Sequence, residues 1–192
     1  MLRVMLVDVP AMHTAMLEEE IEEAGYKLTT SLKGQVGLLK AFISAQPELL
    51  VINLDTPDKT ILDTLQIINR DYPCPIVIFT NDDDSSVIQL AIRAGVSAYV
   101  VDGLLSNRIK PVIDVALARF NEMQSLRSER DKAKSSLQER KLIDKAKGLI
   151  MAQRQVTEDV AYASLRKAAM QANKKLIDVA REIISVMELM KS

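Results

Sequence analysis

Short apolar runs recur along the first hundred residues of the chain. They occupy residues 3–8, 49–55, 76–80 and 98–101, and a weaker run covers residues 26–30. Runs that are apolar at successive positions are typical of strands buried on both faces of a parallel sheet. The pattern therefore predicts five strands of one parallel sheet.

Apolar residues at helical spacing separate these runs. They recur over residues 12–24, 36–45, 61–68 and 87–94, and a fifth helical stretch begins near residue 106. Strands that alternate with helices indicate an α/β fold. We predict a flavodoxin-like, doubly wound parallel sheet with strand order 2-1-3-4-5 as a first domain of residues 1–120.

Polar residues stand where three of the predicted strands end. Asp8 closes the first run, Asp55 closes the run at residues 49–55, and Thr80 closes the fourth. Because the carboxyl ends of parallel strands meet at one edge of a sheet, we expect these side chains to converge in a crevice. This edge is the first candidate site.

A single uninterrupted helix is predicted from residue 106 to residue 154. Its only proline, Pro111, lies in the first turn, where proline is tolerated, and Gly148 is its only glycine. An apolar seam alternates spacings of three and four, as in a coiled coil, and favours a homodimer through residues 106–141. The alternative is one exposed helix lying against its own first domain. The seam comprises Val112, Ala116, Met123, Leu126, Ala133 and Leu137, with Arg119, Arg130 and Arg140 interrupting it.

The last fifty residues predict a unit of three amphipathic helices. Thr157 is a suitable N-cap for the middle helix, with acidic residues in its first turn, and Asn173 is a suitable stop. Small alanines would allow the helices to approach closely. The predicted apolar faces comprise Leu142, Ala146, Leu149 and Ile150, then Val160, Ala161, Leu165, Ala168, Ala169 and Ala172, then Leu176, Val179, Ala180, Ile183, Ile184 and Met187.

The net charge of −1 conceals an uneven distribution of charged residues along the chain. Residues 1–105 hold 7 Lys and Arg against 15 Asp and Glu, a balance of −8, whereas residues 106–192 hold 18 against 11, a balance of +7. This asymmetry predicts an acidic module joined to one that meets a polyanion. One cysteine fits a reducing compartment, and no apolar run approaches a bilayer's thickness, so we expect a cytoplasmic protein without a membrane segment.

The C-terminal helices resemble the ANTAR domain, an RNA-binding module of transcription antitermination regulators, expected here at residues 131–192. The resemblance implies binding to tandem hairpin loops of nascent leader mRNA, which prevents termination. Its matching residues are Ile143, Ala146, Lys147, Gly148, Met151, Ala161, Tyr162, Leu165, Arg166, Met170, Asn173, Leu176, Val179 and Ala180.

Two groups of residues in this unit are candidates for RNA contact. Tyr162, Arg166, Met170 and Asn173 fall on one side of the middle helix, where an unpaired base could stack and form hydrogen bonds. The alternative for Tyr162 is a ring packed mainly against other helices. Gly148 costs a helix about 1 kcal/mol relative to Ala, which close approach of another helix or of the RNA backbone would explain. The candidate phosphate contacts are Lys145, Lys147, Arg154, Arg166, Lys167, Lys174 and Lys175.

The first domain resembles the receiver domain of two-component response regulators. The resemblance implies that Asp55 is the phosphoacceptor, that Asp8 and Asp55 form a weak Mg²⁺ site, and that Thr80 and Tyr99 respond to phosphorylation. However, Asp102 stands where the family has a lysine. A carboxylate there would repel a phosphoryl group. We therefore expect no required cofactor, and control by a partner protein more than by phosphorylation.

Within the ANTAR family, residues 98–104 resemble regulators of nitrate and nitrite assimilation of the NasT type. This likeness implies a ligand-sensing repressor protein as the partner. A DNA-binding two-component response regulator acting as a transcription factor remains the alternative. A phosphohydrolase is disfavoured because the first strand supplies only Asp8, not two closely spaced acids, so the protein is not expected to be an enzyme.

Overall fold

The computed structural model describes residues 1–9, 11, 13–101 and 109–189. The chain divides into two compact units, Met1–Gln124 and Ser125–Ser192. A long helix, α5 (Ile109–Arg154), begins in the first unit and ends in the second.

The first unit contains the predicted parallel sheet. All the strand pairs are parallel and the order is β2-β1-β3-β4-β5, which confirms the prediction. Every residue of the two strands β3 and β4 is buried, as their continuous apolar sequences require. The strands are β1 (Arg3–Val9), β2 (Lys27–Lys33), β3 (Leu49–Leu54), β4 (Ile76–Phe79) and β5 (Ala98–Val100).

Helices cover both faces of this sheet. The first turns of α5 pack with α1 over one face through Ile109, Ile113 and Ala116, while α2, α3 and α4 cover the other. Ala116 is thus buried in the first unit's core, so the seam predicted along α5 is open to a partner only beyond it. The four shorter helices are α1 (Thr14–Glu23), α2 (Leu38–Ala45), α3 (Lys59–Asp71) and α4 (Ser85–Arg93).

Gly95 ends α4 in a conformation that requires glycine. Its φ is +98°, and a Cβ at this position would lie 2.2 Å from the side chain of Asn69 on α3. Both the left-handed backbone and the close approach exclude a side chain here.

The second unit is a bundle of the end of α5 with α6 (Glu158–Gln171) and α7 (Leu176–Leu189). Four alanines, each at most 6% exposed, lie in its core and let the helices approach closely, as predicted. The prediction was wrong for Val160 and Ala172, which are exposed. Val160 lies at the margin of the face that Ala161 and Leu165 define on a helix of 3.6 residues per turn, whereas Ala172 is the C-cap residue that follows the last residue of α6. The core comprises Ala146, Ile150, Ala161, Leu165, Ala169, Val179, Ala180 and Ile184.

The middle of α5 is covered by nothing else in the described chain. Every residue from 128 to 141 is exposed, and Pro111 lies in the first turn of the helix, where it breaks no hydrogen bond. Within the described ranges, no helix combines the length and the apolar character needed to cross a membrane.

Candidate functional site

The first candidate site is the crevice at the carboxyl ends of the strands. Asp8 lies near the end of β1, Asp55 directly follows β3, and Thr80 directly follows β4. Thr80 and Asp55 are in direct contact, because the Thr80 hydroxyl donates a hydrogen bond of 2.5 Å to the backbone carbonyl of Asp55. Asp8 makes its contacts elsewhere.

Asp8 is fully buried, and its carboxylate is held by three donors. Its Oδ2 accepts hydrogen bonds from the Thr14 hydroxyl at 2.6 Å and the His13 backbone N–H at 3.1 Å. Its Oδ1 accepts a hydrogen bond of 2.7 Å from the side-chain amide of Asn53 on β3. Both oxygens are therefore engaged inside the protein.

The sequence-based prediction missed Asn53 and Thr14. Asn53 is the one polar residue within the apolar strand β3, and it lies opposite Asp8 in the register of β1 with β3. A buried amide needs a hydrogen-bond partner, so its position in an apolar run was a usable signal.

Asp55 is exposed, and its carboxylate accepts a hydrogen bond of 3.2 Å from the amide of Asn81. The Thr80 hydroxyl also accepts from the backbone N–H of Asp82 at 3.2 Å, so Thr80 is held on both sides. Tyr99 is half-buried and donates its hydroxyl hydrogen to the carbonyl of Asp82 at 3.1 Å. Partial burial and the nearby Asp82 raise the pKa of this phenol. Asp102 lies outside the described residues.

The crevice does not fit a magnesium ion well. Mg²⁺ needs octahedral oxygen ligands and usually takes one or two carboxylates directly. Both oxygens of Asp8 are occupied by protein donors, and no group of three or more acidic, His or Cys side chains in the described ranges could hold a metal. A bound ion would have to share the Asp8 carboxylate with three buried donors.

The second candidate site is the basic surface of the bundle. Three of its predicted RNA contacts are paired with carboxylates of the same unit. Lys145 lies 2.6 Å from Glu188, and Lys174 bonds Glu182. Lys147 contacts both Asp144 and Glu158, at 2.7 and 2.6 Å. Because these carboxylates partly neutralise the lysines, the lysines are weaker candidates for phosphate contact than the sequence indicated.

The other predicted cations make no ion pair within the described part of the chain. This group comprises Arg154, Arg166, Lys167 and Lys175, all exposed. Arg166 and Lys167 are neighbours on the outer side of α6, so their charges face solvent together.

An exposed stripe on α6 contains the residues predicted to contact a base. Tyr162 is 43% exposed and Met170 is 74% exposed, and Arg166 lies between them at helical spacing. The ring of Tyr162 is therefore not fully packed between helices. Asn173 lies just beyond the end of α6 with a φ of +51°, which confirms it as the stop. Thr157 occupies the N-cap position without a side-chain capping bond.

Gly148 lies on an exposed face of α5. A Cβ built there would meet nothing within 4 Å, so close approach of another helix of this unit does not explain the glycine.

Residues 131–184 match the family model of the ANTAR domain. The transcriptional regulatory protein PdtaR of Mycobacterium tuberculosis is 27% identical over 186 residues, which cover 96% of this chain and 90% of that protein. A nitrate regulatory protein of Klebsiella oxytoca is 34% identical over 80 residues, which cover 42% of this chain and 20% of that protein. These relatives are regulatory proteins.

Solved structures similar to this chain include signal receiver domains and response regulators. One is the signal receiver domain of a modulated diguanylate cyclase from Desulfovibrio desulfuricans, with a TM-score of 0.56, 15% identity, and coverage of 64% of this chain and 98% of that one. Another is a LuxR-family two-component response regulator from Aurantimonas, with a TM-score of 0.54, 24% identity, and coverage of 61% and 85%. The likeness confirms the predicted receiver fold.

Proposed function

The chain carries an ANTAR domain at residues 131–184 behind a receiver fold, and from this premise we propose that it is an antitermination regulator that binds RNA. Its target would be tandem hairpin loops in a nascent leader mRNA, whose capture prevents formation or action of a terminator. Such a protein acts in the cytoplasm, where the transcript emerges.

The observation that carries the proposal is the pair of free cations beside an aromatic ring on α6. Arg166 and Lys167 are exposed and make no ion pair in the described residues, and Tyr162 lies one turn from Arg166. Cations without internal partners are available to phosphate. A guanidinium plane and a tyrosine ring are the groups on which splayed RNA bases stack.

Binding can be measured with a tandem-hairpin RNA selected on the parent protein from a pool with randomised loops. Arg166→Ala is expected to weaken binding about fivefold to 150-fold, because loss of one stacked base contact removes about 1–3 kcal/mol. Arg166→Lys keeps the charge but loses the planar group, so it should retain nonspecific affinity and lose discrimination between loop sequences. A gel-shift titration measures both.

Arg70→Ala is the matched control, because Arg70 is an exposed arginine in the first unit that pairs with Asp71, its neighbour in sequence. It should leave RNA affinity unchanged. Failure of the parent to select any hairpin would contradict the proposal. Equal affinity for hairpin RNA and duplex DNA would favour the alternative, a DNA-binding transcription factor.

We also propose that the protein forms a homodimer through the exposed part of α5. Met123, Leu126 and Leu137 are 53%, 55% and 55% exposed and follow one another at heptad spacing with Ala133. An exposed seam of this kind is suited to a second helix with the same pattern. Two copies would present two RNA-binding units to a two-hairpin target, which raises the effective concentration of the second contact.

Charges beside the seam favour a parallel, in-register pair. With Met123 and Leu126 at heptad positions a and d, Glu122 and Glu129 occupy position g, while Arg127 and Lys134 occupy position e. In a parallel dimer each g residue faces the e residue five positions later in the partner, which opposes Glu to Arg or Lys. In an antiparallel dimer g faces g and e faces e, so like charges would meet.

We also propose how the protein is regulated: a ligand-sensing repressor protein binds the receiver-like unit, with nitrate or nitrite as the signal. The contacts of Asp8, Thr80 and Tyr99 support a role that needs neither a cofactor nor phosphorylation, since each of these side chains already has a partner within the protein. The nitrate assignment is supported by residues 98–104 and by the partial likeness to the nitrate regulatory protein.

A further inference from the structure

Lys147 differs from the other paired lysines of the bundle in its surroundings. Its side chain is only 15% exposed, whereas those of Lys145 and Lys174 are 54% and 47% exposed. Its ammonium lies 2.7 Å from Asp144, one turn earlier on α5, and 2.6 Å from Glu158, the first residue of α6. It also lies 6.0 Å from the ring centroid of Tyr162.

The charges of this cluster are unsuited to phosphate. An ammonium group has three N–H donors, and carboxylates take two of those of Lys147. Asp144, Lys147 and Glu158 together carry one negative charge. Arg140 is the other cation near Asp144, but it lies 4.0 Å away and is 83% exposed, so solvent screens it. A phosphate approaching Lys147 would meet two carboxylates first.

The same cluster joins two helices beside the predicted base contacts. The hydrogen bonds to Asp144 and Glu158 raise the pKa of Lys147, and the bond from Lys147 lowers the pKa of Asp144, so both charged forms are favoured. The ammonium thereby ties the first turn of α6 to α5. It also lies over one side of the Tyr162 ring, within the range of a cation–π contact.

We propose that Lys147 is a positioning residue, which fixes Tyr162 and the start of α6 so that Tyr162 and Arg166 face an unpaired base, and that it does not contact phosphate. This inference rests on the RNA-binding function proposed above. It assigns Lys147 a role different from those of Arg166 and Lys167, although all three carry the same charge.

The dependence of RNA affinity on salt distinguishes the two roles. A lysine that contacts phosphate releases a counterion, so its loss lowers the slope of log affinity against log salt by about 0.7–0.9. Lys167→Gln, the matched control, should show this change with the selected tandem-hairpin RNA. Lys147→Gln should weaken binding roughly threefold to tenfold, because two ion pairs that fix the start of α6 are lost, with the slope unchanged. Lys147→Arg, which can keep both carboxylates, should restore affinity.

A second measurement uses the full-length protein without RNA. Thermal unfolding is measured for Lys147→Gln, Glu158→Gln and the double variant. The Tm shift of the double variant should be smaller than the sum of the two single shifts, because each single change already breaks the same contact between Lys147 and Glu158. Additive shifts, or a salt slope for Lys147→Gln that falls as it does for Lys167→Gln, would overturn the inference. If the parent bound no hairpin RNA, the proposed function would fail and the RNA role of Lys147 with it, while the unfolding series would still decide whether Lys147 joins the helices.

Discussion

At the scale of single residues, the surroundings of a side chain decide its role. Asp8 and Asp55 were both predicted to lie in one crevice, yet Asp8 is fully buried with three donors while Asp55 is exposed with one. A buried carboxylate is stable only with such donors, since burial of an unpaired charge is costly. Asp8 therefore serves to join β1, the start of α1 and β3.

Gly148→Ala is expected to stabilise the second unit by about 1 kcal/mol, the difference in helix propensity between glycine and alanine. The added Cβ would meet nothing within 4 Å, so no steric cost offsets the gain. Urea unfolding followed by circular dichroism measures the change. RNA affinity measured on the same variant would fall if the RNA backbone approaches this face.

Gly95→Ala is the control for this prediction. Its φ of +98° and the 2.2 Å distance from a new Cβ to Asn69 require a loss of stability in the first unit. If Gly148→Ala destabilised the protein as well, some group would have to cover the position that is open in this structure.

At the scale of elements, α5 has three kinds of surroundings along its length. Its first turns are buried in the first unit, its last turns are part of the bundle core, and residues 128–141 are exposed on all sides. This exposed segment is not stabilised by packing against other described parts of its own chain. Arg130 at a seam position bonds Asp131 of the same helix, so we expect a weak pairing that depends on protein concentration.

Leu126→Cys tests the proposed parallel pairing of α5. In a parallel, in-register dimer the Cα atoms at position 126 of the two copies would lie close enough for a disulfide, which requires about 4.4–6.8 Å. Oxidation should therefore give a covalent dimer on a non-reducing gel. The native Cys74 should not interfere, because it is buried and burial raises its pKa to about 12.

Ser128→Cys is the matched control, since Ser128 lies two residues away at an outward heptad position. It should give far less covalent dimer at the same protein concentration. Cross-linking in a mixture of Met123→Cys with Ala133→Cys, without cross-linking of Leu126→Cys alone, would indicate antiparallel helices and contradict the charge argument.

At the scale of the whole molecule, an acidic receiver-like unit is joined to a basic ANTAR domain. The receiver fold is present, with its five-stranded order; Asp8 and Thr80 are engaged in internal contacts, while Asp55 is exposed. A fold alone does not specify its function. We therefore propose that the first unit docks a controlling protein and does not act as a phosphorylation switch.

Asp55→Asn should leave RNA affinity and self-association within about twofold of the parent, as expected for an exposed substitution without a functional role. Incubating the parent with acetyl phosphate and Mg²⁺ should likewise leave both unchanged. Gel shift and sedimentation velocity measure the two properties. Loss of both in Asp55→Asn would show that Asp55 is part of the control mechanism after all.

The sequence by itself determined the secondary structure and its order, because these depend on local periodicity. Continuous apolar runs predicted β3 and β4, and alanines with Leu165 at helical spacing predicted the core face of α6. The motif residues around Lys147 and Arg166 identified the domain that the comparison confirms. Val160 was misplaced because a residue at the edge of an apolar face can be buried or exposed, and Ala172 was misplaced because α6 ends one residue before it.

Only the tertiary structure decided which side chains meet. Asp8 and Asn53 are 45 residues apart in sequence, and Lys147 and Glu158 are 11 apart on different helices. Such pairs are set by strand register and helix packing, and periodicity within one element carries no information about them. For this reason a lysine predicted to bind phosphate proves to be paired with two carboxylates, while Arg166, predicted on the same grounds, remains exposed.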